Sequence, residues 1–352
     1  MTNEHEGKRP AAALHLKSAL ELEAEEVRWL WPDRFAMGAL SIIQGDPGAG
    51  KSFVSCFIAS RITTGRSWPD SEARANPGSV MFISDEDHPA RVRSRLEAMG
   101  ANLAKCVLLS GVTAGKDKPA FDLTRHLPAL EDAWRSIPDL QLCVFDPVTA
   151  YMPVNQNANA EVRAALTPLA ALAARLKIAV VAISHYNKTT GASYIYRGLG
   201  STAFVAQARS VYGIVRDLRD DEAKLFLPIK NSYGNGETKG LRFRITEEQV
   251  RFDREAVHSS IDDYIAKTRK TSKLAGAADW LCKRLASGPV EATKLLQDGQ
   301  AEGFASATLR RARKELPIEV YRTGFQTPWN WKLNGQETAE EHPEETDHEP
   351  PF

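Results

Sequence analysis

Short apolar runs alternate with amphipathic segments through the middle of the chain. Runs rich in β-branched and aliphatic residues predict strands, and apolar residues at helical spacing predict helices. The predicted strands are Ala39–Gln44, Ser79–Ser84, Val107–Ser110, Leu142–Asp146 and Ala179–Ser184, and the predicted helices are Lys51–Thr63, Pro89–Met99 and Ala160–Leu176. This alternation predicts an α/β domain with a mainly parallel central sheet covered by helices on both faces.

Further apolar runs follow with no helical pattern between them, which predicts an antiparallel extension of the sheet. These runs are Ser210–Arg216, Lys224–Lys230, Leu241–Ile245 and Gln249–Phe252, with turns predicted at Gly234-Asn235-Gly236 and at Gly240. We expect this domain to cover residues 27–264, after a flexible lead-in over residues 1–26.

The last quarter of the chain has a different pattern. A basic run predicts a linker over residues 265–273, and a small unit of helices and two short strands is expected over residues 274–333. Its predicted elements are a helix at Leu274–Leu285, a break at Ser287-Gly288-Pro289, a helix at Glu291–Gln297, a helix at Ala307–Leu316 capped by Ser306, and strands at Ile318–Arg322 and Trp329–Lys332. Residues 334–352 are predicted to be a disordered acidic tail.

Charge is polarised along the chain although the formal net charge of the 352 residues is zero. From Lys267 to Lys332 there are 13 lysines and arginines and 6 acidic residues, a balance of +7, whereas Leu333 to Phe352 carries 7 acidic residues and no lysine or arginine. No apolar run approaches the roughly 18 residues that span a bilayer. The 4 cysteines form no C-x-x-C pair, which argues against a zinc site or a disulfide framework. We therefore expect a cytoplasmic protein without a membrane partner.

The clearest motif is a phosphate-binding loop between the first predicted strand and the first predicted helix, which is the context that this motif requires. Glycines let the backbone curl so that its N–H groups point at phosphate oxygens, and the helix N-terminus favours an anion. Lys51 is expected to reach the β- and γ-phosphates of ATP, and Ser52 to ligate Mg²⁺. The full loop is Gly45, Asp46, Pro47, Gly48, Ala49, Gly50, Lys51 and Ser52.

Acidic residues at two other strand ends are candidates for the metal and the general base. Asp146 ends a buried strand, where a carboxylate can hold Mg²⁺ beside Ser52, or can cap the turn before a proline. Glu86 follows another strand and is the candidate general base, with Asp85 and Asp87 as rivals. The three acids also fit a solvated turn.

Over Val27 to Phe252 the chain resembles the RecA-like hexameric ATPases that include plasmid replicative helicases of the RepA type and, more distantly, DnaB. The resemblance rests on the phosphate loop and on a set of short segments. These are Trp29-Leu30-Trp31-Pro32, Ser84-Asp85-Glu86-Asp87-His88-Pro89, Arg91 to Leu96, Val144-Phe145-Asp146-Pro147, Ile183-Ser184-His185, Arg197-Gly198, Arg209 and Lys230-Asn231.

The resemblance implies roles for residues that are ambiguous by themselves. Glu86 would activate water, and His185 would sense the γ-phosphate. Arg209 and Lys230 would act on the nucleotide of a neighbouring subunit, or else are ion-paired surface residues. The family often has an arginine shortly after the lysine that matches Lys230, but this chain has Ser232-Tyr233.

Two regions are candidates for binding DNA. The stretch from Tyr186 to Gly200, with Lys188 and Arg197, interleaves aromatic and basic residues, which suits single-stranded DNA or an ordinary surface loop. The C-terminal unit resembles a winged helix-turn-helix, whose second helix would meet duplex DNA. It also fits a structural or protein-binding module. In this chain the second helix of the motif corresponds to the predicted helix Ala307–Leu316. Its basic residues are Arg310, Arg311, Arg313 and Lys314.

These features and the family resemblance predict a hexameric, Mg²⁺- and ATP-dependent, DNA-acting motor or switch of the helicase type, serving a plasmid, phage or mobile element. The alternatives are a DNA-binding loader or regulator without unwinding activity, a regulator whose assembly nucleotide controls, and a P-loop small-molecule kinase. The acidic tail from Glu337 to Phe352 is a docking peptide for host replication proteins, a solvating segment or an autoinhibitory cover for the basic module.

Overall fold

The structure is a computed structural model, and it describes residues 16–21, 23, 25–113, 117, 119–185, 202–234, 238–324 and 327–334. The candidate DNA loop, with Lys188 and Arg197, and the tail from Glu337 to Phe352 lie outside these residues.

The described residues form strands β1 to β14 and helices α1 to α8. The strands are β1 Trp29–Trp31, β2 Phe35–Ala36, β3 Leu40–Gly45, β4 Ser79–Ser84, β5 Cys106–Leu108, β6 Leu140–Asp146, β7 Ala179–His185, β8 Ser210–Asp217, β9 Asp220–Asn231, β10 Gly240–Thr246, β11 Gln249–Val257, β12 Val290–Glu291, β13 Ile318–Tyr321 and β14 Asn330–Leu333. The α-helices are α1 Lys51–Thr64, α2 Pro89–Ala98, α3 Leu127–Arg135, α4 Asn159–Leu176, α5 Thr202–Gln207, α6 Ile261–Leu285, α7 Ala292–Ala301 and α8 Ser306–Glu315.

In the described part of the chain, nine strands form one sheet in the order β11-β10-β9-β8-β3-β7-β6-β4-β5. The strands from β8 to β5 in this order are parallel, and β9, β10 and β11 extend the sheet antiparallel. The expected α/β fold with a mainly parallel central sheet is therefore confirmed. Because parallel strands align their carboxyl ends, residues that follow β3, β4, β6 and β7 meet at one edge.

Apolar clusters cover both faces of the sheet. Helices α1 and α2 pack on one face through Val54, Ile58 and Leu96, together with the buried Phe243 of β10. Helices α3, α4 and α5 pack on the other face. Buried strands of this kind read as nearly continuous apolar runs, which is why the sequence pattern located them.

The short hairpin of β1 and β2 anchors the beginning of the domain to the first of these clusters. Trp31 is fully buried, stacks on Trp68 with ring centroids 4.7 Å apart, and donates its indole N–H to Asp70. Replacing such a side chain with alanine costs about 3–5 kcal/mol. The hairpin therefore belongs to the core.

The structure differs from the sequence predictions at several elements. Helices α3 and α5 and the two-residue strand β12 were not predicted, and Gly240 is the first residue of β10 rather than a turn. The sequence predicts a linker over residues 265–273, but these residues lie within helix α6, which runs from Ile261 to Leu285. This segment contains no proline and its single glycine is Gly276, so nothing in it stops a helix.

The C-terminal unit packs around its own cluster. Leu281 of α6, Leu295 of α7, Leu309 of α8 and Trp331 of β14 are all buried there. The strands form a three-stranded sheet in the order β12-β14-β13. Ser306 is the first residue of α8 and Ala305 is its N-cap, so the prediction of a Ser306 cap is wrong.

Candidate nucleotide-binding site

The predicted phosphate loop and acidic residues converge at the carboxyl edge of the central sheet. The pairing register sets Gly45, the last residue of β3, beside His185, the last residue of β7. It also sets Ser84, at the end of β4, beside Asp146, at the end of β6. Side chains that are far apart in the sequence are thus brought to one site by strand pairing.

The loop between β3 and α1 has the backbone that a phosphate cradle needs. Gly48 and Gly50 have φ angles of 74° and 98°, in the left-handed region that other residues rarely adopt. A Cβ atom on Gly50 would lie 2.7 Å from Cδ1 of Ile245, so a larger residue would clash with β10. Gly50 offers no side chain to cap α1. The first N–H groups of this helix therefore remain for an anion.

Lys51 is directed into the loop. Its side-chain amine donates to the carbonyl oxygens of Gly45 and Asp46, both at 2.9 Å, and to Nδ1 of His185 at 3.1 Å. Burial lowers the pKa of Lys51, and the nearby carboxylates of Glu86, Asp146 and Asp46 oppose this effect. A cation held by weak backbone acceptors is ready to exchange them for phosphate oxygens, which are stronger acceptors.

His185 connects this lysine to a carboxylate. Its Nδ1 lies 3.1 Å from the Lys51 amine, and its Nε2 lies 3.1 Å from Oε2 of Glu86. A protonated lysine can only donate, so Nδ1 must accept and Nε2 must carry the proton that is donated to Glu86. The three side chains therefore form a hydrogen-bonded chain from the phosphate loop to the candidate base.

Asp146 has the surroundings of a metal ligand. The residue is 4% exposed, and its Oδ1 has no hydrogen-bond partner. Burial raises the pKa of Asp146 to about 6, against a hydrogen bond from Ser52 that lowers it. A buried carboxylate oxygen without a partner, next to a hydroxyl at a phosphate loop, fits Mg²⁺, which prefers few protein ligands together with phosphate oxygens.

The acidic neighbours of Glu86 have different surroundings. The carboxylate of Asp87 is ion-paired with Arg95, which is buried and stacks over the ring of Phe53 at 4.5 Å. Asp85 donates its backbone N–H to the carbonyl of Asp146 and is exposed. Of the three acids, Glu86 is the one whose carboxylate meets His185. The sequence pattern includes Arg95 in the segment from Arg91 to Leu96 but gives no sign of its pairing with Asp87.

A scan against family models finds an AAA domain over residues 7–191, which is more than half of the chain. The chain belongs to this AAA domain family. The family implies nucleotide binding at the phosphate loop and supports an ATPase. No curated protein matches the sequence. Among solved structures, the crystal structure of the RadB recombinase is similar with a TM-score of 0.45 and 18% identity, over 61% of this chain and 91% of that chain.

Arg209 and Lys230 lie beyond the residues that the family model matches, at the opposite or amino edge of the central sheet. The backbone N–H of Arg209 bonds to the carbonyl of Leu40, the first residue of β3, whereas the phosphate loop starts at its last residue. Six residues of strand separate the two edges by about 17 Å. Arg209 is exposed, and its guanidinium lies 5.6 Å over the ring of Tyr233. It is thus beyond reach of the phosphate loop of its own subunit.

Lys230 is engaged within its own subunit. Its amine donates to the carbonyls of Val205 and Ala208 at 2.8 Å and of Ala206 at 3.3 Å. These carbonyls belong to the last turn of α5 and the residue beyond it, so the lysine caps that helix. Sequence reasoning gave Lys230 and Arg209 one role, but the structure gives them different surroundings.

The basic residues of α8 divide into two groups in the C-terminal unit. Arg311 and Lys314 are exposed, whereas Arg310 and Arg313 are partly buried. The guanidinium of Arg313 lies 5.2 Å over the ring of Trp331. A surface for an acidic partner would therefore present Arg311 and Lys314 first.

The helices in the described part of the chain are too short or too polar to span a lipid bilayer. Over the same residues, no cluster of three or more histidine, cysteine or acidic side chains could hold a metal ion.

Proposed function

We propose that this AAA domain protein is an Mg²⁺-dependent ATPase that forms a hexameric ring and acts on DNA as a helicase-like motor. The observation that carries the hydrolytic part is the chain of side chains from Lys51 through His185 to Glu86, beside Asp146. It joins a phosphate-binding group, a polar relay and a carboxylate at one sheet edge.

Ser52 and Asp146 would hold Mg²⁺, which when bound neutralises charge on the phosphate oxygens. The loop N–H groups and Lys51 bind the β- and γ-phosphates. When the amine of Lys51 turns to phosphate, Nδ1 of His185 loses its donor. The imidazole is then free to reorient, and the carboxylate of Glu86 is released towards the attacking water.

Glu86 takes a proton from the attacking water while the oxygen of that water forms a bond to the γ-phosphorus. The bond from the γ-phosphorus to the bridging oxygen breaks, and ADP leaves with that oxygen. A carboxylate in this position contributes about 10²–10⁴-fold to such a reaction. Arg95 holds Asp87 away from this role, which supports Glu86 as the general base.

The position of Arg209 supports assembly. A cation at the amino edge of one subunit can complete the carboxyl edge of another, and an arginine that does so is worth about 10³–10⁵ in rate. Lys230 fits the helix-capping role better than this one, because its three hydrogen bonds to backbone carbonyls would have to break.

The C-terminal unit supports action on DNA. Its three helices and three-stranded sheet resemble a winged helix-turn-helix, with Arg311 and Lys314 exposed on α8 for duplex phosphates. The same feature favours a second candidate, an ATP-dependent loader or regulator that binds DNA without unwinding it. Single-stranded DNA in the ring and host replication proteins on the tail remain predictions from the sequence.

The test measures ATP turnover with and without single-stranded DNA and Mg²⁺, together with light scattering in ATP and in ADP. We expect turnover that requires Mg²⁺, rises with DNA and is lost in Lys51→Ala, and a larger particle in ATP. Strand displacement separates the motor from the loader. Turnover that DNA does not change, by a particle of one size, contradicts the proposal.

A further inference from the structure

Two basic residues that sequence reasoning missed lie beside the phosphate loop. Arg216, near the end of β8, is paired across the sheet with Lys224 of β9. Strand β8 is the direct neighbour of β3, from which the loop leaves. Both residues are therefore at the carboxyl edge, in the same subunit as the loop.

The aliphatic part of the Lys224 side chain lies close to Gly50 of the loop. A Cβ atom on Gly50 would lie 3.6 Å from Cδ of Lys224 and 3.6 Å from Cε2 of Phe243. Phe243 and Lys224 are partners in the pairing of β9 with β10. The stem of the lysine thus lies beside Gly50, the residue that precedes Lys51.

The two cations have neighbours of their own sign. Among the described residues, neither Arg216 nor Lys224 has a carboxylate oxygen within 4 Å or a side-chain hydrogen bond. Burial lowers the pKa of Lys224, and the charge of Arg216 lowers it further. Like charges facing each other across two strands destabilise the pairing, and an anion between them would remove that cost.

Cations of the neighbouring strand β10, on the opposite face of the sheet, are paired with carboxylates. Arg242 is ion-paired with Asp217, and Arg244 with Asp220 and Asp253. Because side chains alternate along a strand, these residues face away from the cluster that contains Phe243. Unpaired cations thus occur on the face that carries the loop, although carboxylates are plentiful on the other face.

The catalytic candidates define which part of a nucleotide would meet this pair. Glu86 follows β4, and Asp146 and His185 end β6 and β7. All three strands lie on one side of β3, so the γ-phosphate is expected there. Arg216 and Lys224 lie on the other side of β3. A nucleotide bound across the loop therefore directs its nucleoside end towards β8 and β9.

We propose that Arg216 and Lys224 form a subsite that binds the α-phosphate end of the nucleotide in the subunit that owns the loop. This inference rests on the proposed nucleotide binding and deepens it. A contact at the α-phosphate is present in ADP and in ATP alike. The pair therefore retains nucleotide through the cycle and does not distinguish its two states.

The test compares dissociation constants for ADP and for the slowly hydrolysed analogue ATPγS by titration calorimetry. Lys224→Gln and Arg216→Gln should each weaken both nucleotides by the same factor, about tenfold for a charge-assisted contact at a partly exposed site. Lys224→Arg should keep most of the affinity, because it keeps the charge. Lys239→Gln, which removes an exposed lysine next to the other end of β10, should bind like wild type.

The outcomes separate this inference from the proposed function. If wild type binds neither nucleotide, the proposed function fails. If wild type binds, Lys51→Ala does not, and both glutamine variants bind like wild type, the subsite is overturned and the proposed function stands. A loss for ATPγS alone, or weaker DNA binding with unchanged nucleotide affinity, also overturns the subsite. Thermal unfolding of each variant identifies any that fails to fold.

Discussion

The two edges of the central sheet carry similar basic residues in opposite circumstances. At the carboxyl edge, Lys51 and Lys224 lie against the phosphate loop of their own subunit. At the amino edge, Lys230 caps a helix and Arg209 is exposed. Lys224 and Lys230 even belong to one strand, about 20 Å apart. Charge near a motif in sequence does not assign a role, because the strand direction decides which edge a residue reaches.

The largest expected effect tests whether Arg209, at the amino edge of one subunit, completes the nucleotide site of another subunit. Arg209→Ala should reduce DNA-stimulated ATP turnover by about 10³-fold or more, because transition-state charge would lose its external cation. Nucleotide affinity of the isolated subunit should change little, since Arg209 is far from its own loop. Steady-state turnover and ADP titration measure the two quantities.

The second-largest expected effect is on ATP hydrolysis, when Glu86 at the carboxyl edge is replaced. Glu86→Gln should keep ATP binding and reduce hydrolysis by about 10²–10⁴-fold, because the amide cannot take a proton from water. Lys51→Ala should instead lose binding. Hydrolysis near the wild-type rate in Glu86→Gln would transfer the role of base to Asp85 or Asp87.

A third prediction uses the raised pKa of Asp146. Burial disfavours its ionised form, so above pH 6 the folded protein without ligand carries a cost that is absent below about pH 4. Asp146→Asn should therefore increase the free energy of unfolding at pH 7.5 by up to about 3 kcal/mol, with no gain at pH 4. It should also lose the stabilisation that Mg²⁺ and ADP give to wild type. Chemical denaturation with and without ligand measures both effects.

The smallest effect distinguishes the two cations of the amino edge. Lys230→Met keeps the aliphatic stem and removes the amine, which leaves carbonyls of α5 without their donor. We expect a loss of about 1–2 kcal/mol in stability. A variant of unchanged stability with collapsed turnover would instead make Lys230 a second cation acting between subunits.

The sequence predicts the parts of this molecule that depend on local pattern. Strand β3, the phosphate loop and helix α1 are contiguous in the sequence. Their apolar runs and glycines therefore predict the local structure without information from the rest of the chain. The basic run over residues 265–273 predicts a linker, but helix α6 continues through it, because charge alone does not end a helix. The break after Leu285 is predicted correctly because a glycine and a proline, Gly288 and Pro289, follow the helical pattern, and Gly288 does take a positive φ angle of 127°.

Residues that reach the site through long-range pairing could not be found in this way. Lys224 lies more than 170 positions after Gly50, and no motif connects them. Asp87 and Glu86 are adjacent and chemically alike, and they separate only when Arg95 and His185 take up their positions. The choice between them is made by the fold rather than by the pattern.

The measurement that tests the account most directly mixes two inactive variants. Lys51→Ala retains the amino edge and loses its phosphate loop, whereas Arg209→Ala retains the loop and loses the arginine. If a site is shared between subunits, mixed assemblies should recover part of the ATP turnover, because Arg209 of one subunit can serve the intact loop of another. Absence of recovery in assemblies shown to contain both variants would contradict the account.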